Sequence, residues 1–136
     1  NWPPSQSQFQ SFHQLALGET HDWWLSLLAE VGYQRSNVKM IPVGPVISKL
    51  LSVMPALQNI SADELYVDDA PHGTATIYFL AAMVQYSAIF EQPAPSSFVP
   101  SGAIHPLVRE NYNAIAAFIW DDLHTYEDRN GDSIVF

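Results

Sequence analysis

The sequence predicts an α/β fold that is mostly helical, with one or two parallel strands. Three observations carry that expectation. Val38 to Val43 is a short, nearly continuous apolar run bounded by Asn37 and Gly44-Pro45, the pattern of a parallel strand covered on both faces. A helical period follows from about Val46 to Leu57, with Ile47, Leu50, Leu51 and Met54 on its inner side. A polar loop, Asp68-Asp69-Ala70-Pro71-His72-Gly73, then fronts a long apolar run from Thr74 to Phe90. Strand, helix and polar loop make the half-unit of an α/β fold, where sites gather at the carboxyl ends of strands.

The totals bound the answer. At 136 residues the chain is long enough for one domain with a real core, and 48% apolar residues with 4 Trp, 6 Tyr and 7 Phe argue against disorder. Five basic against fourteen acidic residues leave a net charge of −9, which makes nucleic acid a poor partner. The absence of cysteine removes disulfides and thiolate metal sites and leaves the compartment open. No secretory leader is visible. The longest apolar run, near residues 75 to 90, is shorter than the ~20 residues of a membrane span and carries Gln85, so no membrane partner is expected.

In chain order, the tandem prolines Pro3-Pro4 keep residues 1 to 11 from opening with a regular helix. A large aromatic such as Trp2 normally buries much of its surface, which places Asn1 as an internal position of a longer protein. Thr20 caps a helix to Glu30, with Asp22 in its first turn and Gly32 just past its end. Trp23, Trp24, Leu27, Leu28 and Val31 form one apolar face and are expected in the core rather than stacking on carbohydrate. His13 and His21 lack partners at ligand spacing and read as surface histidines.

Ser61 and Glu64 have capping-box spacing, so a short turn of helix precedes Leu65-Tyr66-Val67 and the Asp-Asp loop. The helix from Thr74 to Phe90 is apolar nearly all round and is expected to be the most buried, with Ala81 and Ala82 marking close approach to a neighbour. A proline-rich connection follows. His105-Pro106 then opens a second strong helix whose inner stripe is Ile104, Leu107, Val108, Tyr112, Ile115, Phe118 and Ile119. His105 and Asp122 lie more than four turns apart and read as structural.

The chemistry concentrates at the loop. A carboxylate three residues before an imidazole can hydrogen-bond one ring nitrogen and leave the other free as a base. The competing reading is that Pro71 and Gly73 make a turn and His72 merely fronts the helix.

Asp69-x-x-His72-Gly73, followed by a helix with Tyr78, Ala81, Ala82 and Tyr86, resembles the last conserved block of the SGNH (GDSL-like) hydrolases. Val38-Lys-Met-Ile-Pro-Val-Gly44 resembles the strand that comes before that block, so the resemblance covers roughly residues 20 to 90. It implies that residues 1–126 are the C-terminal part of an SGNH-like three-layer α/β domain. It also implies that His72 is the general base of a Ser-His-Asp triad, with Asp69 its orienting partner and Asp68 a spare carboxylate. The implied substrate is an ester, with acylated carbohydrate as one class, and the implied location is extracellular or periplasmic. The family's Ser nucleophile and the Gly and Asn of its oxyanion hole match no motif here, so the missing N-terminal part of the same protein is the implied partner. A non-catalytic helical interaction module is the alternative.

Residues 127–136 form a polar tail with two further patterns. Gly131-Asp132-Ser133-Ile134 spells the family's nucleophile block, but His-Thr-Tyr-Glu-Asp-Arg-Asn precedes it where a buried apolar strand belongs. Ser133 is therefore not assigned as nucleophile. Asp128-x-Asn130-Gly131-Asp132 resembles the opening of dockerin or other short calcium-loop repeats, but the chain stops before the bidentate acid at position 12. A solvated, frayed end with no metal is expected, and no cofactor is implied.

Overall fold

A computed structural model describes residues 2–34, 38–70, 72–128 and 130–136. Asn1, Asn37, Pro71 and Arg129, named above in the terminus, strand boundary, turn and tail, lie outside the described residues. Among the described residues seven helices follow in order: α1 Gln6–Leu17, α2 Glu19–Gln34, α3 Val43–Val53, α4 Ala62–Leu65, α5 Ala75–Phe90, α6 Pro106–Glu110 and α7 Tyr112–His124.

The α/β expectation, and with it the SGNH-like three-layer arrangement with parallel strands, is overturned. Among the described residues every regular element is a helix, and β pairing is limited to two isolated bridges, Tyr66 with Gly73 and Glu127 with Ser133. Among the described residues the expected strand forms no ladder with another segment. Residues 38–42 run without regular structure, Met40 N–H donates to the Ile134 carbonyl at 2.8 Å, and α3 starts at Val43. A continuous apolar run does not by itself distinguish a strand from another buried segment, and Pro42 has no N–H to give a ladder.

The core is built where α3, α5 and α7 meet, with α1 against α3 and α4 against α5. Val46 and Leu50 of α3, Leu80 and Val84 of α5, and Ile115 and Ile119 of α7 are wholly buried. Helix α5 matches its predicted span, but it is not buried all round. Thr76, Ile77, Leu80, Met83, Val84 and Ser87 face inward, while Tyr78, Ala82, Ile89 and Phe90 are exposed. Ala82 therefore marks no close approach, and Ala81 is half-buried. The C-terminal helix is broken at Asn111 into α6 and α7 and keeps its predicted inner stripe.

Helix α1 lies where the prolines had argued against one. It begins just after them because Ser5 closes a capping box with Gln8, an arrangement compatible with a preceding Pro. It also reverses the assignment of His13, which is 1% exposed between Phe9 of α1 and Ser48 of α3. His13 Nδ1 lies 3.3 Å from Ser48 Oγ, and Nε2 is buried with no partner among the described residues.

Burial lowers the His13 pKa, so the fold holds the ring neutral. The resulting stability is fully present above the unfolded value of 6.5 and is lost as pH falls from there toward the lowered folded value. His21, also lowered by burial, adds a contribution of the same sign. The thermal midpoint should fall between about pH 7 and about pH 5.5, and His13→Gln should flatten that slope. An unchanged slope in the variant would move its origin away from α1.

Helix α2 departs furthest from expectation. It spans Gly32 instead of ending before it, and its tryptophans are not core residues: Trp23 is 59% and Trp24 45% exposed. Leu25 and Leu28 are the side chains that turn toward the core. The expected core stripe is therefore divided: Leu28 packs against the core, whereas Trp23, Trp24, Leu27 and Val31 stay exposed.

The tail is docked rather than frayed. Ile134 and Val135 are buried, and Lys39 Nζ donates to the carbonyls of Ser133 and Phe136 at 2.8 and 2.6 Å. No helix among the described residues is long and apolar enough to cross a membrane.

Candidate functional site

The loop before α5 is pinned at both ends by backbone. Val67 N–H donates to the His72 carbonyl at 2.7 Å, and Thr74 N–H to the Leu65 carbonyl at 2.8 Å. Ser61 and Glu64 hold the approach, the Glu64 carboxylate accepting Ser61 N–H at 3.0 Å and Ser61 Oγ–H at 2.8 Å. Thr74 then caps α5. At Gly73 the loop backbone lies against the helix so closely that an added Cβ would sit 2.9 Å from Ile77 Cγ2. The stiff, branched Ile77 side chain gives little room, so glycine is required here by contact and not by a special φ.

The imidazole's partner is Asp68, not Asp69. His72 Nδ1 lies 2.7 Å from Asp68 Oδ2 and 3.0 Å from Oδ1. Oδ1 also accepts the backbone N–H groups of Ala70 at 3.1 Å and His72 at 3.3 Å. A carboxylate that accepts from the amides two and four residues ahead curls the chain back over itself, which brings the ring at i+4 into reach. Asp69, three residues before the ring, is exposed and makes no side-chain hydrogen bond among the described residues. The His72 hydrogen bond, first, and the two backbone amides hold the Asp68 carboxyl below its ordinary range.

With Nδ1 turned to a carboxylate, a neutral His72 carries its proton there, and Nε2 is left as the free lone pair. The His72 side chain is 68% exposed. It is therefore a base open to the surface rather than one enclosed in a cleft.

His105 and Glu64 form a second carboxylate–imidazole pair. His105 Nδ1 accepts Leu107 N–H at 3.2 Å as the N-cap of α6, which makes Nε2–H the donor to Glu64 Oε1 at 3.3 Å. Its own N–H donates to Thr76 Oγ1 at 2.9 Å. Both ring nitrogens are occupied, so this pair fastens the 101–106 connection to α4 and α5, the structural role expected of His105.

The other sequence candidates lie elsewhere. Ser133 sits in the tail, where its Oγ accepts Phe136 N–H at 3.3 Å. In the calcium-like loop, Asp128 Oδ1 accepts the N–H groups of Asn130 at 2.7 Å and Asp132 at 3.0 Å, with Gly131 at φ +83° closing the turn. These bonds, the Asp132 amide first, hold the Asp128 carboxyl low. That carboxylate is engaged by its own backbone, and no group of three or more His, Asp or Glu among the described residues is placed to hold a metal.

Sequence reading missed the groove beside the loop. A hollow of about 220 Å³ is lined by Trp2, Phe9, Phe12 and Tyr66 together with Asp68 and Asp69. Its walls come from the N-terminal segment, α1, α4 and Tyr66, two residues before the Asp-Asp pair. Only the packing of α1, which the prolines obscured, brings them together.

Comparison with protein-family models, with curated proteins and with solved structures found no match for this chain.

Proposed function

We propose that the chain supplies the base of an ester-hydrolysing centre, with His72 as general base and Asp68 as its orienting carboxylate. The observation that carries this reading is the Asp68–His72 Nδ1 pair, which leaves Nε2 unencumbered at the surface. In the reaction, Nε2 takes the proton of a hydroxyl as its oxygen adds to the ester carbonyl. It then returns that proton to the alcohol as the C–O bond breaks. The hydroxyl and the oxyanion donors come from another segment, the N-terminal part of the same protein in the reading of the sequence. The exposed stripe of Trp23, Trp24 and Leu27 offers that segment an apolar face.

The same stripe favours a second reading, a non-catalytic helical interaction module in which the loop is a turn alone. The two part on one measurement. In the protein complete with its upstream segment, hydrolysis of p-nitrophenyl acetate should fall about 10-fold or more in Asp68→Asn and stay within about twofold in Asp69→Asn. Equal effects of the two substitutions would remove Asp68 from the mechanism. No hydrolysis by the complete protein would leave the interaction module.

A further inference from the structure

We propose that the groove beside Asp68 and Asp69 binds an ammonium group, of the trimethylammonium or primary ammonium class. Its walls are aromatic and their planes are crossed. The Tyr66 ring stands at 81° to Phe9 and 74° to Phe12, with centroids 6.0 and 6.2 Å away. Phe9 and Phe12 are nearly parallel to one another at 6.5 Å. Trp2, half-buried against the core, completes the lining. Aromatic rings lining a small hollow attract a cation through their quadrupoles, as in the aromatic cages that take alkylated ammonium groups.

The carboxylates set the sign of the occupant. Asp68 is already hydrogen-bonded to His72, whereas Asp69 makes no side-chain bond among the described residues and has its whole charge to offer. An anionic ligand would be repelled, and a neutral apolar one would strip water from two carboxylates without return. A cation meets both demands, with its methyl or methylene groups on the rings and its charge toward the acids. Size agrees. A cavity of about 150 Å³ admits benzene, so about 220 Å³ accommodates a trimethylammonium head but not a large ring system. The net charge of −9 adds a long-range attraction for cations.

As a statement about substrate, the inference rests on the hydrolytic reading above. The groove then seats the ammonium-bearing part of an ester whose carbonyl lies toward His72. As a statement about binding, it stands without that reading.

The test compares choline with its uncharged carbon isostere, 3,3-dimethyl-1-butanol, by NMR titration of the 136-residue chain, following the Trp2 indole N–H. Choline should bind about tenfold more tightly than the isostere, and Phe12→Ala should weaken it about fivefold. Asp69→Asn should weaken choline about threefold and leave the isostere unchanged. Both substituted side chains are exposed, and a thermal melt of each variant checks that the fold is kept. Equal affinity for the two ligands, no binding of either, or choline binding untouched by both substitutions would each overturn the proposal. Choline binding that survives in a protein without esterase activity supports the site and removes only its assignment to an ester substrate.

Discussion

His72→Ala is expected to lower ester hydrolysis by the catalytically complete protein by about 10²–10⁴-fold, the usual contribution of a positioned general base. The reason lies in Nε2. Asp68 holds the Nδ1 side of the ring, so the Nε2 lone pair on which the proposal rests is turned away from the carboxylate on an exposed ring. Removing the ring removes the acceptor and leaves a nucleophile at its ordinary pKa. Because His72 is exposed and contributes nothing to the core, the loss should appear in kcat with the melting temperature nearly unchanged. The 136-residue chain assayed alone should show negligible hydrolysis, since no Ser stands in a nucleophile context. Full activity of His72→Ala in a normally folded, complete protein would eliminate the base assignment. Activity of the 136-residue chain that vanished with Ser133→Ala would show that Ser133 is the nucleophile after all.

Lys49→Met should lower the stability of the domain by about 2–3 kcal/mol, with a fall in melting temperature of about 6–12 °C. Lys49 Nζ of α3 is bonded to Asp122 Oδ1 of α7, and the Asp122 side chain is only 4% exposed. Its second oxygen is buried without a partner among the described residues. Tyr126 is close enough that burial, first, and the Asp122 charge push its hydroxyl pKa upward. Removing the lysine thus strands a carboxylate in the interior, a change that costs about 3–5 kcal/mol where both partners are buried. Lys49 is itself about half exposed, so solvent already shares in its pairing and the expected loss is smaller. The double variant Lys49→Met with Asp122→Leu should recover most of the stability, because it removes the stranded charge as well. A single variant melting within about 1 °C of the parent would show that Asp122 does not depend on Lys49.

The sequence by itself determined what lies within a few residues of the cause. The Thr74–Phe90 helix follows from an apolar run too long for a strand, the Ser61–Glu64 cap from its spacing, and the start of α6 from Pro106. It also singled out the loop with His72, since a carboxylate and an imidazole a turn apart are legible as neighbours. Which of the two carboxylates bonds the ring was not legible. That was decided by how Asp68 curls the chain through the Ala70 and His72 amides.

Tertiary structure alone decided burial. His13 and Trp24 both sit on helices at apolar spacing, yet α3 lies over the first, while the second is left 45% exposed, lining a surface hollow with Phe12, Met40 and Ile41. Residues 38–42 carry a strand's composition, but a strand needs a ladder of bonds to a neighbouring segment, and the Met40 N–H bond to the Ile134 carbonyl does not extend into one among the described residues. Local bonding and periodicity are written into adjacent residues. Burial, strand pairing and the aromatic groove depend on which distant segment comes to lie opposite, and that is set by the packing of the whole chain.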